Sequence, residues 1–475
     1  MQKYLTWGYL IVICAFLPVY MKDGYYMLGE AKGVAFMVIA GLFSLGFILV
    51  NNKEIPSKVR AEGLTDYAAL FFLFSNVITF IFSSDKIVSL LGLEGWRCGF
   101  LSVLFMVISF YGFREVKMSR YVLTAALVAP LMEFVLGSLN RFGIYPVDIY
   151  GQNSSFLATI GNINWYVGFM SVFVPLGIGV GYTRRLFSRS FVLAGAYTLT
   201  GLVALLLQGS DSGLIVIAGA YLLLLFVSLE IRDGFKRFLL QLLILGLAME
   251  IVCLLMLFVG RFYTYENSLA LTIAKGHWGL VMVAAALFLY RLSRFLEEIK
   301  SKWRGKLILE VAVVLMIVGV FALILWFSDS FGLEFGNGRG VIWSISLELY
   351  KGLSPWQKMV GVGQDCFYGY AYSHPEIAEQ LLNVFKGDVL TNAHCEPFTI
   401  LIERGLLGLC SYLFLIGSCL YAYFQNKRKS AAIICALPVF AYFLNSLVSF
   451  STTVSTPYMF ILLGMGAHYC RENNH

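Results

Sequence analysis

Apolar residues in this chain collect into long blocks separated by short polar stretches. Most blocks are about 20 residues long, the length that crosses the roughly 30 Å hydrocarbon layer of a bilayer as a helix. About fourteen are candidate spans: 4–20, 31–50, 64–82, 98–112, 121–139, 165–183, 190–207, 213–229, 238–259, 278–290, 307–327, 405–424, 431–449 and 456–470. The 98–112 and 278–290 blocks are short and read as tilted, extended or partly re-entrant. The first block, "YLTWGYLIVICAFLPVY", has Lys3 before it but no small-residue cleavage site after it, and reads as a span rather than a removable signal. The pattern predicts an all-α polytopic membrane protein with about 12–14 transmembrane helices and a large structured outer loop late in the chain.

Composition strengthens this reading. Of the 475 residues 59% are hydrophobic and 13% charged, against about half and about a quarter in soluble domains. The net charge of +7 does not point to nucleic acid, because the basic residues sit in short loops between apolar blocks. With a cytoplasmic N-terminus, 23 of the 35 Lys and Arg fall in inner loops and 12 outside. The positive-inside rule then places both termini in the cytoplasm and gives an even number of spans. Three parts follow: helices in 1–327, an outer loop at 328–404, and helices in 405–475. Smaller outer loops lie at 140–164 and 260–277. No internal repeat is visible, which speaks against an inverted-repeat transporter.

The 328–404 segment is too long to be a plain connector. Asn337 and its flanking glycines predict a turn and N-cap. "VIWSISLELYK" then has helical spacing, with Ile342, Ile345 and Leu349 on one face. Arg339 would stand at that helix N-terminus, an arrangement suited to a phosphate or diphosphate. "SHPEIAEQLLNVFKGD" predicts a second helix that starts near Pro375, carries Ile377, Leu381, Leu382 and Phe385 on one side and stops at Gly387. It would lie along the membrane surface or cap a cavity. Residues 328–395 carry four basic and seven acidic side chains, so an anion would be bound by a local arrangement rather than by a general basic surface.

Local pattern alone leaves other roles open. Arg339 also fits a solvent-facing turn arginine, His394 an interfacial cap, and Glu396 a first-turn acid beside Pro397 that favours the helix dipole. Glu403 and Arg404 also fit a simple pair or headgroup contacts. The nine cysteines show no metal-site spacing. Cys366 and Cys395, alone in one hydrophilic loop, are the candidate disulfide pair.

Two spaced elements stand out. An R-x3-W element with a P…G-x-G-x3-F tail is formed by Arg339, Trp343, Pro355, Gly361, Gly363 and Phe367. An A-H-x-E-x6-E-x-G-L-x-G element is formed by Ala393, His394, Glu396, Glu403, Gly405, Leu406 and Gly408. Together with the span pattern they resemble the O-antigen ligase and O-antigen polymerase family of bacterial envelope enzymes. The resemblance implies a membrane glycosyltransferase that needs no metal or other cofactor. Its implied donor is a glycan on undecaprenyl diphosphate, and its acceptor is a lipid A-core sugar or another lipid-linked repeat, alongside other polysaccharide-assembly proteins. By position, Arg339 would bind the diphosphate and His394 would orient or deprotonate the attacking hydroxyl. Glu396 or Glu403 would hold the imidazole, and Trp343 would line the substrate site.

The match departs from the family pattern in two places. Cys395 stands where asparagine commonly follows the histidine, and Asp211 in "GSDSG" stands where an arginine is expected. Arg261, Arg141 and Lys275, with His277 in reserve, are the candidates for the missing cation. The main alternative is a flippase for lipid-linked oligosaccharide, with Glu133 and Glu250 as intramembrane proton or cation sites. A non-catalytic envelope scaffold would also fit the spans, but leaves the loop unexplained.

Overall fold

In the computed structural model, residues 1–52, 62–231, 233–298, 335–385, 389–427 and 429–471 are described. They form helices joined by short turns, with a two-stranded antiparallel hairpin pairing β1 (Phe156–Leu157) with β2 (Gly161–Asn162). The helices are α1 (Gln2–Ala15), α2 (Leu28–Asn51), α3 (Leu64–Ile81), α4 (Lys86–Leu91), α5 (Phe100–Arg114), α6 (Arg120–Ala126), α7 (Val128–Asn140), α8 (Ile163–Thr183), α9 (Arg189–Leu207) and α10 (Ser212–Glu230). They continue as α11 (Gly234–Val259), α12 (Leu269–Lys275), α13 (Trp278–Glu298), α14 (Phe335–Gly352), α15 (Pro355–Val360), α16 (Phe367–Tyr372), α17 (Pro375–Val384), α18 (Glu396–Glu403), α19 (Gly405–Gln425), α20 (Ser430–Ser446) and α21 (Thr456–Arg471).

Among the described residues, eight helical stretches are long and apolar enough to cross a membrane, α6 with α7 counting as one, and α12 and α13, which join at a 70° bend, bring the number to nine if they form one span. The chain is therefore a multi-pass membrane protein by length and composition. Helices α5 and α20 are apolar but shorter, and the 307–327 block lies outside the described residues. The 278–290 block, read as tilted, extended or partly re-entrant, is the second half of the bent pair.

Helix α8 is apolar on every side and 78% of it is buried, as expected of a helix surrounded by others. It packs on α9, α10 and α20, while α21 packs on α5, α19 and α20. Around them lies one large apolar core. A second, smaller core belongs to the late segment: Ile342, Ile345 and Leu349 from α14 meet Phe367, Ile377, Leu381 and Ile402. The predicted α14 face is thus the buried one. In α17, Ile377 and Leu381 are buried but Leu382 is exposed, so the apolar side is narrower than its spacing suggests.

One prediction about α14 needs correcting. Asn337, the expected cap, lies inside the helical span Phe335–Gly352. Gly338 has φ +85° within that span, so the glycine marks an irregularity in the helix rather than a turn that precedes it.

Candidate functional site

The two sequence elements meet through their glycines. Gly361 has φ +80°, and a Cβ there would lie 2.1 Å from the Glu403 carbonyl oxygen. Gly405 has φ +65°, and a Cβ there would lie 2.4 Å from the backbone of Met359. No side chain fits between these backbones, so 359–363 and 402–405 run against each other. The Val362 nitrogen donates to the Ile402 carbonyl at 3.1 Å and the Gly363 nitrogen to the Glu403 carbonyl at 2.9 Å. The strap is held to the end of α3 as well, because Thr79 Oγ1 donates to the Val360 carbonyl at 2.9 Å and the Ser84 nitrogen to the Val362 carbonyl at 2.8 Å.

This strap fixes a group of buried acids. Asp365, held at a left-handed φ of 59°, accepts from the nitrogens of Leu93 at 2.7 Å and Cys98 at 3.0 Å. Burial pushes its carboxyl up to about 6, against those N–H groups and Arg404. Glu403 accepts from the Phe367 nitrogen at 3.4 Å. Burial, and then Asp365, push it up to about 8, against Arg404. Glu396 accepts from both the nitrogen and the hydroxyl of Ser451, at 2.7 and 2.5 Å. Each acid therefore fastens one loop to another. Neither Glu396 nor Glu403 bonds to the His394 ring, which corrects their expected role as its holder: backbone N–H groups took the carboxylates first.

His394 stands beside this group. Its backbone is left-handed, φ 48°, and is held by an Asx turn in which the His394 nitrogen donates to Asn392 Oδ1 at 3.0 Å. A non-glycine residue in this region carries strain that the surroundings must hold, a feature common at functional positions. The Nδ1 atom is buried without a hydrogen-bond partner among the described residues. The ring meets Phe450 edge-on at 4.9 Å, Phe450 meets Trp96 at 5.1 Å, and Trp96 meets Trp165 at 5.5 Å. Trp96 is steadied by its neighbours, since the Gly95 nitrogen and the Arg97 guanidinium both donate to Glu30.

Arg339 reaches the same place from α14. Its Nη2 lies 3.4 Å from Asn164 Oδ1 at the start of α8. Burial lowers its pKa from the ordinary value, opposed by Asp211 at the start of α10. Its charge is felt at His394, where burial first and Arg339 second push the imidazole down to about 4. An imidazole and a guanidinium, drawn from the two ends of the late segment, thus lie close enough to interact electrostatically. Trp343, one turn along from Arg339, packs its ring on Phe398 at 6.3 Å.

The other predicted cations are occupied elsewhere. Arg141 is buried and donates to the carbonyls of Gln208 and Ser154, with its guanidinium 4.3 Å from the Tyr265 ring. It ties loops together instead of offering free donors. Arg261 is exposed and lies over Phe262, and Lys275 donates to Asn267 Oδ1 at 2.5 Å. Asp211, where the resemblance expects a cation, is a carboxylate that acts on Arg339. The Cys366 and Cys395 thiols are free, and the Cys366 thiol donates to the Gln364 carbonyl at 3.4 Å. The intramembrane acid Glu133 is satisfied by Thr159, through its nitrogen at 3.0 Å and its hydroxyl at 2.5 Å.

Sequence reasoning missed Asn392, Asn164, Asp365, Trp96 and Phe450. Two signals were available: the polar "SFSTTVSTP" between apolar blocks, and a Trp-Arg pair in the short loop before α5. No protein-family model matches the chain, and no curated relative matches it.

Proposed function

We propose that the protein is a glycosyltransferase of the O-antigen ligase or polymerase kind, working at the outer face of a bacterial cytoplasmic membrane. It would move a glycan from undecaprenyl diphosphate to a sugar hydroxyl in surface polysaccharide assembly. The observation that carries the reading is that Arg339 lies near enough to the buried His394 to help hold its imidazole neutral.

In this reaction the acceptor oxygen bonds to the anomeric carbon as the bond from that carbon to the diphosphate oxygen breaks. The hydroxyl proton passes to the imidazole, and the electron pair leaves with the diphosphate. A base must be unprotonated before it can act, and burial beside a cation keeps His394 so at neutral pH. A guanidinium fixed in a space of low dielectric stabilises the charge that develops on the leaving group. The row of rings from Phe450 to Trp165 offers apolar faces against which sugar rings can stack. Asp211 opposes Arg339 until the donor arrives, so the anionic donor must be attracted strongly enough to outweigh it.

The test is transfer in liposomes from a labelled undecaprenyl-diphosphate glycan. Longer chains identify a polymerase and label on a core acceptor a ligase. Movement across the bilayer with no new glycosidic bond identifies a flippase and overturns the reading. Arg339→Ala and His394→Ala should each cut transfer by about 100-fold or more, with insertion unchanged. The acid limb of kcat/KM should fall near pH 4, because His394 is neutral above that value in the free enzyme. A limb near 6.5 would remove His394 from the role of buried base.

A further inference from the structure

Helices α12 and α13 meet at their 70° bend in a way that two features of the sequence produce. His277 takes a left-handed backbone, φ 57°. Gly246 and Gly279 let α13 touch α11: a Cβ on Gly279 would lie 2.5 Å from the Gly246 carbonyl oxygen and 2.6 Å from the Glu250 nitrogen. This approach turns the His277 ring over one face of α11, where Glu250 and Cys253 are neighbours one helical turn apart. His277 Nδ1 is 3.0 Å from Glu250 Oε1 and 3.5 Å from Cys253 Sγ. One ligand atom from each of the three residues lies within 4.8 Å of the others.

Hydrogen bonding accounts for part of this, since Glu250 pairs with His277 and the Cys253 thiol donates to the Lys275 carbonyl at 3.2 Å. Two observations go further. Glu250 Oε2 is buried without a hydrogen-bond partner among the described residues, which is costly unless something else satisfies it. Glu250 also lies nine residues before the end of α11, about 14 Å along the axis. That is inside a helix apolar enough to cross a membrane, where ionisable groups persist when they have a use.

We propose that Glu250, Cys253 and His277 bind a borderline divalent cation such as Zn2+. In a tetrahedron with bonds of about 2.0–2.3 Å, neighbouring ligand atoms stand about 3.3–3.6 Å apart, so the separations seen here need only small shifts. A thiolate with an imidazole and a carboxylate suits zinc better than magnesium or calcium. The His277 side chain is 56% exposed, which leaves a fourth position open for water. On binding, the thiol gives up its proton to solvent and the Lys275 carbonyl loses its donor. The ion fastens the bend to α11. The far end of α12 is already fastened, because the Leu269 nitrogen donates to Asp211 Oδ1 at 2.7 Å. The site is separate from Arg339 and His394 and does not rest on the proposed transferase activity.

Untagged full-length protein in lipid nanodiscs, stripped with chelator, is titrated with Co2+ and then Zn2+. One equivalent of Co2+ should give a thiolate-to-cobalt absorption band that Zn2+ displaces. Cys253→Ser should abolish the band, and Glu250→Gln and His277→Gln should each weaken binding by at least about 10-fold. Absence of the band in the wild type, or its persistence in Cys253→Ser, overturns the proposal. Alkylation of the wild-type protein gives a readout that needs no variant to fold: Zn2+ should protect Cys253, and an unchanged alkylation rate at Cys253 overturns the site.

Discussion

Asp66 and Arg404 are both buried charges near opposite ends of the bundle, and their surroundings differ. Asp66 lies between Arg114, at 3.1 Å, and Arg471, while Glu62 meets both arginines from the exposed side. Arg404 has Asp365 and Glu403 as electrostatic neighbours, yet its Nε is buried without a hydrogen bond among the described residues. Its acids are bonded to backbone N–H groups of other segments. The first group pairs its charges with one another, although Asp66 Oδ1 makes no hydrogen bond among the described residues, and it ties α3, α5 and α21 together. The second supports a space in which His394 keeps an unbonded nitrogen. Buried charges paired with one another have little left for a ligand, whereas those with spare capacity mark a candidate site.

The largest expected effect tests the paired group. Asp66→Ala removes the buried carboxylate between buried Arg114 and half-buried Arg471, leaves them only the exposed Glu62, and should cost about 3–5 kcal/mol, read as thermal unfolding in detergent, with transfer per folded molecule unchanged. A small stability change would show that the cluster is not paired as described. Gly361→Ala comes next. It forces a Cβ into the Glu403 carbonyl and should cost about 1–3 kcal/mol, and transfer should fall further than stability does, because the strap supports the surroundings of His394. Equal losses in both would make the strap a general stability element.

The smallest effect is a pH slope. Glu403 has a folded value of about 8 and an unfolded value of about 4.3. Between them the folded state holds an extra proton, so this contribution to stability is complete below about pH 4 and is lost as pH rises towards 8. Glu403→Gln, neutral throughout, should flatten that decline. His394 works in the opposite direction and at lower pH: its folded value of about 4 lies below the unfolded 6.5, so it costs stability as pH falls through that range. Unfolding temperatures between pH 7 and 8 isolate Glu403. An unchanged slope in the variant would mean that Glu403 is already ionised.

Much of the helical plan was legible along the chain. Apart from 307–327, each apolar block falls on a helix, and the buried face of α14 was readable from Ile342, Ile345 and Leu349. The site was legible only in part. Arg339 and His394 were singled out by element spacing, but the partners of Glu396 and Glu403 were not, because a carboxylate takes whichever N–H group packing brings to it. Arg141 shows the same limit. A loop arginine facing a ligand and one spent on carbonyls look identical in sequence.

The sequence by itself determined that this is a helical, multi-pass membrane protein, because the length of an apolar block is a local property and the bilayer sets the length required. It singled out Gly361 and Gly405 as members of the two spaced elements, although not that their backbones touch. Only the tertiary structure decided that Arg339 acts on His394, that Asp211 faces Arg339, and that Asp365 fastens the loop at Leu93. These contacts join residues far apart in the chain. Their geometry follows from how whole helices pack, which no short stretch of sequence records.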